Sequence, residues 1–270
     1  MFGVVFDIDG VLLRGARALP GARWAIETLD RLNIPYALLK RESVAKVLGL
    51  PTIRGEIILA HTPMKALVKE YANKRTLVLG HREEILVAKT YGFQKLVTPQ
   101  VLAAQHPQSY LGWGREHDSV GANLDAHKHE PIEAIMIMHD PVDYHLELQV
   151  CIDVLRQRYP TSHHRVPPKV FNSNEDLEFA SEFDHPRLAQ GMFLHCLEMM
   201  HEKCPGQLGA LELTRFGKPY KRTFEYCEQQ LPHANKFYMI GDNPQADIRG
   251  ANNAGEQWNS VLVLSDDFKS

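Results

Sequence analysis

Two carboxylates stand two residues apart at the end of the first apolar run, Gly3-Val4-Val5-Phe6-Asp7-Ile8-Asp9-Gly10-Val11. Alternate residues of a strand share a face, so Asp7 and Asp9 project to the same side. Two acids placed so can share a metal ion or divide nucleophile and acid/base duties. Gly10 lets the chain turn away at once. A turn acid beside a helix-capping acid, or a calcium loop, draws on the same residue types. Calcium loops need a third acid before their glycine, whereas Gly10 follows the second acid directly. The strand-then-turn context favours chemistry, because ligands collect at the C-terminal ends of strands in open α/β sheets.

A second acid pair closes another apolar strand. Lys236 to Ile240 runs into Gly241-Asp242-Asn243-Pro244-Gln245-Ala246-Asp247-Ile248, then a helix-like Arg249-Gly250-Ala251. Magnesium takes few carboxylates and completes its octahedron with water and phosphate oxygens, so Asp7, the Asp9 backbone carbonyl and Asp242 suit one Mg2+ site. Asp247 either orients a metal-bound water or caps the following helix. Between the acid segments lies Phe216-Gly217-Lys218-Pro219-Tyr220, ahead of a helical pattern over Thr223 to Leu231. Pro219 fits a first helical turn, which leaves Lys218 at the helix mouth, either solvated or paired with the nucleophile and a transferring phosphoryl group.

The elements that must position these residues alternate. Residues 2–6 read as a buried strand, 20–32 as a helix entered through Pro20-Gly21, and Pro35 to Leu39 as a second strand. Ser43 to Leu48 is a short helix stopped by Gly49, followed by an apolar stretch, Ile57 to Ala60. A second alternating set follows: strand Thr76 to Leu79, helix Glu83 to Tyr91, strand Lys95 to Val97. Ala104 to Pro131 has little periodicity and reads as a long loop. Beyond it come strand Ala134 to Met138, helix Tyr144 to Arg158, loop Pro160 to Pro168, strand Lys169 to Phe171 and helix Arg187 to Lys203. The alternation implies an α/β fold with a mostly parallel sheet.

Composition narrows the classes further. The 270 residues carry a net charge of −3 and are 44% apolar, so no basic excess points to nucleic acid. Apolar runs such as Ile132 to Met138 fall far short of the roughly 20 residues of a membrane span. Cys151, Cys196, Cys204 and Cys227 show no Cys-x-x-Cys pairing and read as reduced thiols of a reducing compartment. The first strand begins within three residues of Met1, which leaves no room for a targeting peptide and predicts a cytoplasmic protein. Of the 14 histidines, His127-Lys128-His129 and His163-His164 read as solvated loop residues, since no cysteine or acid stands at zinc-ligand spacing. Trp113 reads as a loop anchor or packing residue.

Asp-x-Asp-Gly, an apolar strand ending near residue 39, Gly-Lys-Pro and Gly-Asp-Asn-x-x-x-Asp occur here in the order found in haloacid dehalogenase-like hydrolases, which the chain resembles over residues 2–264. It looks most similar to the large-cap subclass IIA and to the branch containing the cat eye syndrome critical region 5 proteins. Further marks are Ala60-His61-Thr62-Pro63-Met64-Lys65 and Phe171-Asn172-Ser173-Asn174-Glu175-Asp176-Leu177.

The resemblance implies a Rossmann-like core of residues 1–61 and 187–270 with an inserted α/β cap of residues 62–186 that closes over the site. It implies a phosphatase of a small phosphorylated substrate. Asp7 is then the nucleophile, Asp9 the acid and base, and Lys218 the charge stabiliser. Asp7, Asp9, Asp242 and Asp247 serve magnesium, while Asn174 and Asp176 either face the substrate or form a turn. Some fungal relatives are linked to mitochondria and phospholipid synthesis, which extends the expectation to mitochondrial glycerophospholipid metabolism. The family sets Thr or Ser, Asn and a glycine-rich stretch after its second core strand. This chain reads Leu38-Leu39-Lys40-Arg41-Glu42-Ser43 there, with neither that hydroxyl nor the glycines. Lys40 offers a cation instead, and Ser43 a helix cap. Such a loss predicts impaired turnover, or a descendant that binds a ligand or protein without catalysis. The continuation expected after Val263 is also missing.

Overall fold

The computed structural model describes residues 1–39, 44–80, 83–106, 126–156, 167–179, 185–203 and 209–264. The chain forms two compact units, one of Met1–Pro63 with Phe216–Ser270 and one of Met64–Arg215. The second is thus inserted into the first.

In chain order, β1 (Phe2–Asp7) leads into a short hairpin of β2 (Leu13–Arg14) and β3 (Arg17–Ala18). Then come α1 (Ala22–Leu32), β4 (Tyr36–Leu39), α2 (Val44–Leu48) and β5 (Glu56–Ile58). A 3-10 turn (Thr62–Leu67) precedes α3 (Val68–Tyr71), β6 (Arg75–Leu79), α4 (Glu84–Tyr91), β7 (Leu96–Val97) and α5 (Pro99–Gln105). The insertion continues with β8 (Ile132–Ile137), α6 (Tyr144–Leu155), β9 (Lys169–Asn172), β10 (Glu178–Phe179), β11 (Arg187–Leu188), α7 (Gln190–Lys203) and β12 (Leu213–Arg215). The first unit resumes with α8 (Lys221–Gln230), β13 (Lys236–Gly241), a π turn (Pro244–Ile248), α9 (Arg249–Ala254) and β14 (Trp258–Leu262).

Each unit is built on a five-stranded parallel sheet, ordered β14-β13-β1-β4-β5 in the first and β12-β9-β8-β6-β7 in the second. Parallel sheets covered on both faces read as continuous apolar strands, and β4, β1 up to Asp7 and β8 beyond Glu133 do so. In the first unit Val5, Ala37, Met239, Phe224 and Trp258 form one cluster. Val4, Phe6, Leu38, Ile26 and Leu48 form another. From β1 the chain first adds β4 and β5 on one side and later β13 and β14 on the other. The direction therefore reverses between β1 and β13, the position where open α/β sheets take their ligands.

Several details differ from the expectations above. The helix expected from Arg187 starts at Gln190, because Arg187 and Leu188 pair antiparallel with Phe179 and Glu178. Residues 187–215 lie in the second unit: β12 pairs with β9, and Phe193, Leu194 and Leu197 of α7 enter the core cluster of α6 and β8. Pro219 stands before the N-cap Tyr220 rather than inside α8. Residues 104 and 105 close α5, which is N-capped by Thr98. Cys151, Cys196 and Cys227 are free thiols on helices. The Lys40 to Ser43 segment, Trp113, His163-His164 and Cys204 lie outside the described residues. No described helix is long and apolar enough to cross a membrane.

Candidate active site

The end of β1 buries Asp7 to 5% exposure among apolar strands, so its carboxylate needs a partner. Lys218 supplies one. Its Nζ donates to Asp7 Oδ1 at 2.7 Å and to Asp247 Oδ1 at 2.5 Å, with the lysine side chain 15% exposed. The turn that delivers Lys218 is closed by Tyr220 N–H donating to the Gly217 carbonyl at 3.0 Å, with Gly217 at φ 79. Burial alone would lower the Lys218 ammonium, but the carboxylates of Asp7 and Asp247 outweigh it and hold the group well above the usual lysine range.

Asp247 is fully buried in the π turn beyond β13. Its Oδ2 accepts from the Asn243 backbone N–H at 3.1 Å. The helix cap that the sequence offered to Asp247 is made by Asn243, whose Oδ1 accepts from Gln245 and Ala246 N–H at 2.9 and 3.1 Å. Asp247 is left free to hold Lys218. Burial and the nearby Asp7 raise its carboxyl above the usual range, against the opposing pull of Lys218.

Ligand atoms of Asp7, Asp242 and Asp247 lie within 4.8 Å of one another, forming a set of side chains able to hold a metal among the described residues. Close approach here depends on two glycines. A Cβ on Gly10 would fall 1.9 Å from Asp242 Oδ2, and Gly10 sits at φ 83. One on Gly241 would meet the Asp247 side chain at 2.3 Å. Burial, then the charges of Asp7 and Asp247, push the Asp242 carboxyl up to about 6. A divalent cation would reverse that crowding, and a few hard carboxylate oxygens are the donor set magnesium prefers.

Asp9 is exposed and stands outside this side-chain cluster, where its expected metal ligand is the backbone carbonyl. Asn174 and Asp176 belong to the second unit. There they form an Asx turn, Asp176 N–H donating to Asn174 Oδ1 at 3.3 Å. A buried network holds the turn: Gln190 Nε2 donates to Asn172 Oδ1 at 2.7 Å, and Asn172 Nδ2 to the Asn174 carbonyl at 2.7 Å. His127 Nδ1 lies 3.0 Å from Glu130 Oε1, which Lys95 also bonds, so this histidine serves a surface ion cluster.

Sequence reasoning missed Asn243 as the residue that caps the π turn and holds Asp247. The signal was present, since Asn before Pro is a strong helix-start pair.

A family model described as haloacid dehalogenase-like hydrolase matches residues 4–94, and one described as HAD-hydrolase-like matches residues 215–270. A cardiolipin synthase (CMP-forming) / mitochondrial hydrolase fusion protein of Schizosaccharomyces pombe is 32% identical over 98% of the chain. A mitochondrial hydrolase of Saccharomyces cerevisiae is 27% identical over 96%. The chain spans 48% of the first relative's length and 85% of the second's. Among solved structures, a hypothetical protein of Pyrococcus horikoshii superposes with TM-score 0.71 at 20% identity, covering 100% of this chain and 92% of that one. A 4-nitrophenylphosphatase of Thermotoga maritima gives 0.68 at 17%, covering 97% and 85%. NagD of Escherichia coli gives 0.66 at 17%, covering 99% and 91%. At such identities these structures show the fold, whereas the paired family models fall on the two segments that build the acid set: the chain belongs to the haloacid dehalogenase-like hydrolases.

Proposed function

We propose that the chain is a magnesium-dependent phosphatase of a small phosphomonoester, working through an aspartyl-phosphate at Asp7. The observation that carries this reading is Lys218 bridging Asp7 and Asp247, beside Asp242, at the reversal between β1 and β13. Asp7 attacks phosphorus and forms an O–P bond as the ester O–P bond breaks. Asp9 gives its proton to the leaving oxygen, then takes one from the water that hydrolyses the acyl phosphate. Lys218 fixes the nucleophile's orientation and offsets charge on the transferring oxygens. Asp7, Asp242 and the Asp9 carbonyl would hold the ion and Asp247 would support that shell; when bound, the ion would offset charge on the phosphoryl oxygens.

The second unit, with Asn174 and Asp176, is assigned substrate selection. The names of the two fungal relatives support a mitochondrial role next to glycerophospholipid chemistry. The departure at Lys40 to Ser43 supports slow turnover, and in its extreme form a binding protein without catalysis.

Magnesium-dependent phosphate release from glycerol phosphate, nucleotides and 4-nitrophenyl phosphate tests the reading, with Asp7→Asn alongside. Release that vanishes in Asp7→Asn supports it. Release that persists removes Asp7 as nucleophile, and none from folded parent protein leaves the binding role.

A further inference from the structure

Each five-stranded sheet has two edges, β14 and β5 in the first unit and β12 and β7 in the second. Three of these edges are guarded. β5 and β12 are three residues long and β7 two. β5 begins with Glu56, β12 ends with Arg215, and β7 lies between Lys95 and Pro99. Short length, charge and proline are the means by which natural sheets keep an open edge from pairing with another chain. β14 has none of them. It runs for five residues, Trp258-Asn259-Ser260-Val261-Leu262, and the stretch from Gln257 to Leu264 holds neither a charge nor a proline.

The hydrogen bonds to β13 fix which backbone groups of β14 face outward. Phe237 N–H donates to the Gln257 carbonyl and Val263 N–H to the Gly241 carbonyl, each at 2.8 Å, so positions 257, 259, 261 and 263 bond inward. A strand repeats every two residues, which turns the N–H and C=O groups of Ser260 and Leu262 to the open side. No strand pairs with them there among the described residues. Apolar side chains frame that row. Val261 is 42% exposed on one face of the sheet and Leu262 44% on the other, with Leu264 beyond them 80% exposed.

The strand suits its own copy. Two β14 strands laid antiparallel about a twofold axis at Val261 set Ser260 of one copy against Leu262 of the other. Each such pair exchanges both N–H···O bonds, and Val261 meets Val261 of the second copy as a close, non-hydrogen-bonded pair. Directly opposed β-branched side chains stabilise a strand pair and directly opposed like charges destabilise it; β14 brings the first and lacks the second. We propose that β14 is a homodimerisation edge, which joins the first units of two copies into one continuous sheet by antiparallel pairing centred on Val261.

Sedimentation equilibrium of the full chain tests this, with Val261→Lys and Val261→Glu alongside. A contact of a few strand residues belongs to the small, transient class of interfaces, so the parent should pass from monomer to dimer between about 1 and 200 µM. Each variant alone sets like charges opposite one another and should weaken the dimer by about tenfold or more. An equimolar mixture of the two should restore it as a heterodimer, a recovery that only a twofold at residue 261 gives and that misfolding of either variant would prevent. A parent that stays monomeric over that range overturns the edge, whether β14 is left open or is covered by some other segment. A dimer that neither variant weakens overturns it too, as does a mixture that fails to recover while both variants keep the parent's circular dichroism. Should a variant misfold, hydrogen exchange in the parent decides: Ser260 and Leu262 amides that slow as concentration rises sustain the edge, and amides indifferent to concentration overturn it.

Discussion

Replacing Lys218 by Met removes the ammonium that bonds both Asp7 and Asp247 and keeps most of the side chain's length. At 2.7 and 2.5 Å the two contacts are each worth about 6 kcal/mol of attraction at an effective dielectric of about 20, most of it offset by the desolvation of the three groups. Removing one partner leaves the offset in place. Asp7 is 5% exposed and Asp247 0%, so about 3–5 kcal/mol of destabilisation is expected at neutral pH. The two units need not unfold together, so a global midpoint is a poor gauge, and hydrogen exchange at β1 and β13 amides reads the affected sheet directly. A loss of about 3 kcal/mol corresponds to exchange faster by roughly 150-fold. The pH dependence is the sharper test. Without the cation one of the orphaned carboxylates takes up a proton as pH falls, so the deficit should shrink between pH 7.5 and pH 5. An equal deficit at both values, or exchange within about threefold of the parent at neutral pH, would refute the argument that Lys218 offsets buried charge. Turnover, if present in the parent, should drop by about 100-fold or more with the loss of a fixed charge at the reacting centre.

Three further outcomes follow from the same geometry. Asp242, pushed up to about 6, binds its proton more tightly folded than unfolded. Its stabilising contribution is complete below the unfolded value of 3.8 and is lost as pH rises through about 6. Without divalent ions the first unit should therefore lose stability over that window, and saturating magnesium should abolish or invert the trend in thermal melts. Gly10→Ala places a methyl 1.9 Å from Asp242 Oδ2 at φ 83, so calorimetric magnesium affinity should fall by about tenfold or more while the second unit's exchange pattern stays unchanged. Glu147, fully buried in α6 with Gln100 Nε2 3.3 Å from one oxygen, is raised to about 7 chiefly by burial. Glu147→Gln should be close to neutral at pH 5 and stabilise α6 increasingly above pH 7, and exchange of α6 amides that ignores pH would contradict it.

The alternation of strands and helices was legible because buried parallel strands are unbroken apolar runs. Asp7 and Asp242 were legible because each follows such a run at once. Two helical segments escaped notice with one signal in common: Thr62-Pro63 opens the 3-10 turn and Thr98-Pro99 opens α5, each a start that short, weakly periodic helices need. The extent of the insertion was hidden for a different reason. Residues 213–215 join the second unit by pairing with residues 170–172, a contact across some forty positions that no local pattern encodes. Likewise, Lys218 gave no local sign of its pairing, since a lysine before a helix is ordinarily solvated, whereas its partner is a carboxylate 211 residues earlier.

The acid set also bears on whether the site is kept for stability or for binding. Buried ion pairs are weak contributors to stability, and well-packed apolar side chains of similar volume often do better. Here burial, and after it the charge of Asp7, raises both Asp242 and Asp247, so the cluster holds like charges together at a cost to the fold. Gly10 and Gly241 give up side chains so that those acids can come close, and Asn243 spends its side chain on the turn and its N–H on Asp247. A decayed sheet end has no need of such supports, whereas a cation placed among the three carboxylates turns their repulsion into coordination. The loss after Leu39 therefore weighs on how fast the site turns over, and the geometry of Asp7, Asp242 and Asp247 on whether it binds a cation at all. The two can fail separately, and calorimetry with magnesium alone distinguishes them: tight, Gly10-dependent binding without phosphate release would place the defect in the phosphate-binding segment and leave the acid set intact.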